Sequence, residues 1–405
     1  MTGFQAAVDR LAGDSSDAAM GAVVAAALDR QLSAEEIAYL AKRLGQSPER
    51  LGKLPGPGAD IASTGGPSSL STLLCPLYLR ALGTSVAKLS VPGRPAGGLD
   101  VLAQIPGYRV NLPPGVASRV LAECGYAHFA AGIEMAPLDA KLFRYRQKAG
   151  AQAVVSLAIA SILAKKVAVG SDTVGLDIRV GPHGNLGRDW DSAKSSAMLF
   201  CEAARELNAR AVCFLTDATV PYQRHIGRGE ALVALSLLFE GSADSFLTRH
   251  DAACFAMAKS LLGAETAPKP LRHQIRRIFL ENVVAQGASE AEFERVVRGV
   301  RESERLPITA PGDGFLAIDM AALRTALVTG QALGADASAP YPDSCGIELH
   351  AMPNDYVVRG ELVAALRITP AFRAEVTNVV DAVRRAFSSS PWMGAGRHFE
   401  ECRLA

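Results

Sequence analysis

Apolar residues recur at three- and four-residue intervals through the first 45 positions, an Ala-rich stretch that predicts helix throughout. Within it, Ser33-Ala34-Glu35-Glu36 reads as an N-cap followed by first-turn acids. From about residue 55 the texture changes. Apolar runs at Ser85–Ser90, Ala153–Val169, Val174–Val180 and Ala211–Leu215, punctuated by Gly and Pro, read as strands alternating with helices, the pattern of a sheet covered on both faces. After Arg305 it shifts again. Gly312-Asp313-Gly314 turns into Phe315–Ile318, strands follow at Gly346–His350 and Ala364–Ile368, a helix runs from about Pro370 to Phe387, and Ser388–Pro391 reads as a loop. No internal repeat stands out. The reading is an α/β chain in three parts. A small all-helical domain (1–54 and 140–170) faces a larger α/β domain (55–139 and 171–305) with a central, mostly parallel sheet, and a C-terminal α+β subdomain covers 306–405.

One segment carries more chemistry than its neighbours. Asp60 to Thr72 (D-I-A-S-T-G-G-P-S-S-L-S-T) reads as a strand end passing through a Gly-Gly turn into a helix that opens with hydroxyls. Freed amides at Gly65 and Gly66, the unpaired donors of a helix N-terminus and the hydroxyls of Ser63, Ser69, Ser71 and Thr72 suit a phosphate or pyrophosphate. An ordinary capped loop has the same composition. A second constellation is Ser161 and Lys165, four residues apart in an apolar helix, which places a hydroxyl and an ammonium on one face. Taken singly, such a serine bonds its own backbone and such a lysine complements the helix dipole.

Composition narrows the partners. The 405 residues are 49% hydrophobic and 20% charged, with 42 Lys and Arg against 41 Asp and Glu. That balance gives no global pull toward nucleic acid or an anionic membrane, so anion binding must be local and the expected partners are small molecules. The seven cysteines are scattered without a C-x-x-C pair, as expected of free thiols in a reducing compartment. With Asp9, Arg10, Asp14 and Asp17 near the start and no apolar run of about 18 residues, the expected location is cytoplasmic.

Read together, these pieces resemble the thymidine and pyrimidine-nucleoside phosphorylase family over nearly the whole chain, with a more distant likeness to anthranilate phosphoribosyltransferase in the first motif. The matching segments are D-x-x-S-T-G-G at 60–66, Gly93–Asp100, Ala136–Lys141, Ala160–Lys166, Leu176–Gly181, Leu215–Asp217 and Gly227–Glu230. The A-S-I-L-x-K-K piece is the most specific. The resemblance implies that Arg146, Ser161 and Lys165 hold a pyrimidine base. It also implies that Ser63, Thr72, Ser90 and the Gly65 and Gly66 amides hold the attacking phosphate, with Ser71 beside them. Phosphate is then a co-substrate, no metal or other cofactor is expected, the two domains close over the substrate about a hinge at Gly56-Pro57-Gly58, and the chain forms a homodimer through its N-terminal helices.

The departures cluster on the phosphate side. Ile61 and Ala62 stand where the family carries a Lys that contacts phosphate and a His near the sugar, and Gly98 or Leu99 stands where it carries a phosphate-binding Thr. Lys88 or Arg94 is the expected replacement cation, although each reads equally as an ordinary surface charge; the alternatives are a diverged glycosyl-transfer or hydrolytic enzyme on another nucleoside or phosphoribosyl substrate and a non-catalytic nucleoside-binding relative. His183, on a loop after a strand, is a further candidate for substrate binding. His225 with Arg224 and Arg228 reads as a lid or interface, and Asp177 and Asp217 read as caps at strand ends.

Overall fold

The computed structural model describes residues 3–46, 51, 53–132, 134–182, 184–333, 339–368, 373–393 and 399–402. Helices α1 (Gly3–Gly13), α2 (Asp17–Asp29) and α3 (Ala34–Leu44) form the N-terminal unit. Ser16 and Ser33 cap the second and third, and Glu36 returns its carboxylate to the Ser33 amide to complete a capping box. Their apolar stripes pack with α7 (Pro137–Lys148), α8 (Val155–Val169) and α9 (Trp190–Glu206) into one core.

The central sheet has β1 (Ala59–Ser63), β4 (Thr173–Val180) and β5 (Arg210–Asp217) parallel, with β13 (Phe399–Cys402) antiparallel at the edge. A second parallel pair, β2 (Val86–Ser90) and β3 (Tyr126–Ala130), is joined through the short α5 (Leu99–Leu102) and α6 (Pro114–Cys124) and meets the central sheet at a bridge between Gly58 and Ser85. Side-chain alternation then decides what each strand presents to each layer. Val174, Leu176, Ile178 and Val180 enter the core under the N-terminal helices, which leaves Asp177 and Arg179 to the opposite side. There Ala59, Ile61, Val212 and Phe214 pack against α4 (Ser71–Ala81), α10 (Arg228–Glu240), α11 (Ser245–Leu262), α12 (Arg272–Ala285) and α13 (Glu290–Glu302).

The C-terminal part is α+β. An antiparallel sheet β6 (His225–Ile226), β9 (Cys345–Leu349), β11 (Leu362–Ile368), β7 (Arg305–Thr309) and a smaller one, β10 (Tyr356–Val357), β8 (Gly314–Ile318), β12 (Phe387–Ser390), enclose a third core with α14 (Met320–Ala332) and α15 (Arg373–Arg385). Three local features differ from the pattern of the sequence. The serines at 388–390 form strand β12 on β8 rather than a loop, because an edge strand needs only backbone pairing. Two strands cross the boundary expected near residue 305: β6 joins the C-terminal sheet and β13 returns to the central one. The segment expected as a hinge is pinned, since Pro57 O accepts the Ser85 amide and Gly58 O the Thr173 amide. No single described helix is long and apolar enough to cross a membrane.

Candidate active site

Helices α7 and α8 build one half of the site. Lys165 Nζ lies 2.6 Å from Asp139 Oδ2 and 2.9 Å from both the hydroxyl and the carbonyl oxygen of Ser161. All three residues are buried, and Asp139 Oδ1 has no hydrogen-bond partner among the described residues. The four-residue spacing thus does bring Ser161 and Lys165 together. Arg146 stands in the field of the same Asp139, but its guanidinium donates to the carbonyls of Ala151, Gln152 and Leu157 at 3.3, 3.0 and 3.1 Å. Burial pushes its pKa down to about 10, and Asp139 offsets part of that cost. Arg146 therefore holds the α7–α8 turn as well as charging the site. Asp139 is the residue that sequence reasoning missed. Its signal was a first-turn acid within the matching Ala136–Lys141 segment.

The other half is the turn after β1. Gly65 and Gly66 have φ of 94° and 138°, in the region where a side chain is strained, and Ser63 Oγ accepts the Gly65 amide at 3.3 Å. Beneath the turn lies Arg179, placed by the β4 alternation. Its Nη2 donates to Ser69 Oγ at 2.6 Å and Ser71 Oγ at 3.0 Å and pairs with Asp177, which also accepts from the Ser71 and Thr216 hydroxyls. A Cβ on Gly66 would stand 3.6 Å from Arg179 Cγ. The guanidinium lies 4.4 Å over the Tyr222 ring, which stacks on His250, whose Nε2 accepts the Leu70 amide at the start of α4. Arg179 Nε is buried without a hydrogen-bond partner among the described residues. Burial works against its charge, yet Asp177 outweighs it and holds the guanidinium above its usual pKa. Asp177 is therefore the centre of a network rather than a cap. Asp217 accepts the amide and hydroxyl of Thr219 in a turn.

Lys88 does not reach this turn. Its ammonium is buried, 2.9 Å from Asp60 Oδ1 and 2.7 Å from Ile61 O, and Lys166 pairs with the other oxygen of Asp60. Burial opposes ionisation of Asp60, but the two ammoniums hold its pKa far below the usual carboxylate value. The expectation that Lys88 supplies the missing cation is corrected: a buried carboxylate captures it, because leaving Asp60 alone would cost more than any ligand contact returns. Arg94 is exposed, and its backbone carbonyl accepts from Arg324 Nε at 3.1 Å. Ile61 packs into the α4 core against Gly175, and Ala62 against the helical core, so neither presents a polar group.

A third wall comes from β2 and the loop after it. Ser90 Oγ is 3.0 Å from His128 Nε2, and Asp100 accepts the amides of Gly93 and Gly97 and Nε of Arg228 at 2.8, 3.1 and 2.9 Å. A Cβ on Gly98 would collide with His128 Cε1 and stand 3.2 Å from Thr72 Cβ. Gly98, Thr72, His128 and Ser90 thus adjoin. His128 takes the space a threonine at position 98 would need. Arg228 and Arg224 are structural, the latter bonded to the Leu349 and His350 carbonyls, and His225 is buried in β6 rather than on a lid. His183 lies outside the described residues.

The halves face the same end of the sheet. Lys166 on α8 meets Asp60 on β1, and α8 leads straight into β4, so it runs antiparallel to the strands. Going back five residues to Ser161 climbs about 7.5 Å, and going forward three residues to Ser63 climbs about 10 Å. Both groups rise to the carboxyl ends of the strands, where open α/β sheets bind ligands.

No protein-family model matches the chain. It is 30% identical over 305 residues to the thymidine phosphorylase of Sinorhizobium medicae (strain WSM419), covering 71% of this chain and 68% of that one. It is 30% identical over 370 residues to the thymidine phosphorylase of Mycobacterium tuberculosis (strain ATCC 25618 / H37Rv), covering 86% and 82%. The pyrimidine-nucleoside phosphorylase of Geobacillus stearothermophilus is 27% identical over 219 residues, 53% of this chain and 50% of that one. Among solved structures, the anthranilate phosphoribosyltransferase of Thermus thermophilus superposes with a TM-score of 0.52 at 20% identity, covering 74% of this chain and 94% of that one, which shows a shared fold.

Proposed function

The chain belongs to the thymidine and pyrimidine-nucleoside phosphorylase family, and from that premise we propose that it cleaves a pyrimidine (deoxy)nucleoside by phosphorolysis. The observation that carries this reading is the buried Asp139–Lys165–Ser161 group rising beside the Gly65-Gly66 turn at one end of the sheet. The C1′–N1 bond breaks with its electron pair passing to the base, a phosphate oxygen forms the new bond to C1′, and the departing base takes up a proton. Negative charge then develops on the pyrimidine oxygen and ring nitrogen. A lysine and a hydroxyl already oriented there stabilise it without reorganisation, and Arg146 adds positive field from behind. Asp139 orients the ammonium inside a buried site.

On the anion side, the proposed ligands are the Gly65 and Gly66 amides and the hydroxyls of Ser63, Thr72 and Ser90. Arg179 supplies the cation through its position under the turn, with Ser71 linking it to Asp177. One observation favours a diverged acceptor: Ile61 and Ala62 are apolar and Arg179 already pairs with Asp177, so this pocket carries less free positive charge than a lysine aimed at phosphate would give. The test is free-base release from thymidine, uridine, deoxyuridine and cytidine, with and without inorganic phosphate. Release that requires phosphate supports phosphorolysis. Release without it identifies a hydrolase, release only with pyrophosphate or a phosphoribosyl donor a transferase, and no release a binding protein.

A further inference from the structure

We propose that Tyr126 and His128 fix the direction of a hydrogen-bond chain so that Ser90 always presents its hydroxyl proton to the anion held against the Gly65-Gly66 turn. The identity of that anion rests on the reading above; the direction of the chain does not.

The three groups come from two paired strands. In the parallel β2–β3 pair, Tyr126 and His128 are two residues apart and share a face, and His128 is opposite Lys88. The Tyr126 hydroxyl is 3.1 Å from His128 Nδ1, and His128 Nε2 is 3.0 Å from Ser90 Oγ. Tyr126 and His128 are both buried, whereas Ser90 is only half-buried at the end of its strand.

Proton counting sets the direction. Burial holds Tyr126 in its neutral phenol form. Its hydroxyl proton must go to an acceptor, and among the described residues Nδ1 is the one hydrogen-bond partner the hydroxyl has. Were Nδ1 protonated instead, the phenol proton would be buried unsatisfied, which is the costly arrangement. The ring is neutral: burial first, then the nearby Lys88 and Lys166 ammoniums, hold the imidazole pKa well below its usual value, against an opposing pull from Asp60. The remaining proton therefore sits on Nε2 and is donated to Ser90 Oγ. Among the described residues Ser90 makes no hydrogen bond that uses its own proton, so that proton is left for a ligand. The reverse chain would turn only serine lone pairs toward the anion and would repel it. The Tyr126 hydroxyl thus decides, from two side chains away, whether Ser90 attracts or repels phosphate. Gly98 belongs to the same device, since any Cβ there would displace the imidazole. Tyr126 and His128 are positioning residues; Ser90 is the group that touches the anion.

The direct test is nitrogen NMR of full-length protein labelled with 15N-histidine, with the His128 signals assigned by their loss in His128→Gln. The expected result at pH 7 is a protonated Nε2 and an unprotonated Nδ1, with the signals moving toward a mixture of tautomers in Tyr126→Phe. In parallel, calorimetric titration with inorganic phosphate should show about a tenfold loss of affinity in Tyr126→Phe and His128→Leu, the worth of one neutral hydrogen bond. His128→Gln, whose side-chain amide reaches as far as Nε2 and donates a proton, should keep most of the affinity. Nucleoside binding, measured the same way, should be unchanged in all three, and that separates the effect from general loosening of the fold. A protonated Nδ1 in wild-type protein would overturn the relay even if phosphate binds. Unchanged phosphate affinity in Tyr126→Phe would overturn it too. An Nε2–H ring in a protein that binds neither phosphate nor pyrophosphate would overturn the donor role and the phosphorolysis reading together.

Discussion

Asp60 is fully buried between two ammoniums, and replacing it with asparagine should be the most damaging single change of charge in the α/β part of the molecule. The geometry is one negative charge shared by two positive ones. Removing the carboxylate leaves Lys88 and Lys166 facing each other without compensation, and two like charges about 5 Å apart at an effective dielectric near 20 repel by about 3 kcal/mol. Breaking a buried ion pair from one side costs about 3 to 5 kcal/mol, in agreement. Removing one ammonium instead leaves a neutral Asp60–Lys166 pair and one orphaned carbonyl at Ile61, so Lys88→Met should cost only about 1 to 3 kcal/mol. With a urea slope of about 3 kcal/mol/M, the Asp60→Asn midpoint should fall by roughly 1 to 1.5 M, clearly further than Lys88→Met. The deficit should also shrink as pH rises. Burial, the leading cause, already holds Lys166 below the usual lysine value of 10.5, and losing Asp60 lowers it further. A folded state that binds fewer protons than the unfolded one gains stability as pH rises through that window. A urea midpoint for Asp60→Asn equal to or above that of Lys88→Met, or a deficit that grows between pH 7 and 9, would refute the shared-charge account.

Three further outcomes follow from the site and a fourth from the C-terminal part. Lys165→Met should lower the rate of base release about 100- to 1,000-fold, because it removes a donor oriented at the developing charge; a loss below about tenfold in single-turnover assays would contradict its role. Arg179→Met should raise the phosphate KM by roughly 10- to 150-fold, the equivalent of about 1.5 to 3 kcal/mol for a charge-assisted hydrogen bond, while the nucleoside KM stays near wild type. Gly98→Thr should force His128 out of place and lower stability by about 1 to 3 kcal/mol in thermal melts, as overpacking does. Asp343, which accepts from Arg367 on β11 at 2.9 Å and from the Gly229 amide at 3.2 Å, is pushed up to about 6 chiefly by burial and holds its proton longer when folded than when unfolded, so the wild type should lose stability as pH rises from about 4 to 6 and Asp343→Asn should not; parallel pH profiles of the two proteins would argue against it.

Much of this was legible in the residues because it was local. The 33–36 cap, the Gly65-Gly66 turn and the four-residue spacing of Ser161 and Lys165 are short-range features, and each forms locally as its spacing predicts. What was not legible depended on which face of a strand meets which neighbour. Lys88 reads as a strand-end cation until Asp60, 28 residues earlier, claims it. Arg179 reads as part of an apolar strand, and only the alternation of β4 turns it under a turn more than 100 residues away. His128 carries no motif at all. Its importance comes from a glycine at 98 and a hydroxyl at 90, and no spacing rule connects those positions. The strands β6 and β13 joined sheets across the expected boundary for the same reason: backbone pairing at an edge imposes almost no side-chain signature.

Lys165 and Lys166 are neighbours in sequence, about 100° apart around α8, and each is anchored to a carboxylate on a different layer. The helix is therefore keyed like a shaft with two splines: it can neither turn nor slide without disengaging one of them. Inserting a single residue between Lys165 and Lys166 would turn one spline about 100° off its seat, whichever flank the chain shifted. The two ion pairs tie α7, α8 and β1 into one piece. The adaptable parts of this fold lie in the turns around that piece, and altering ligand preference by evolution or by design would have to begin there.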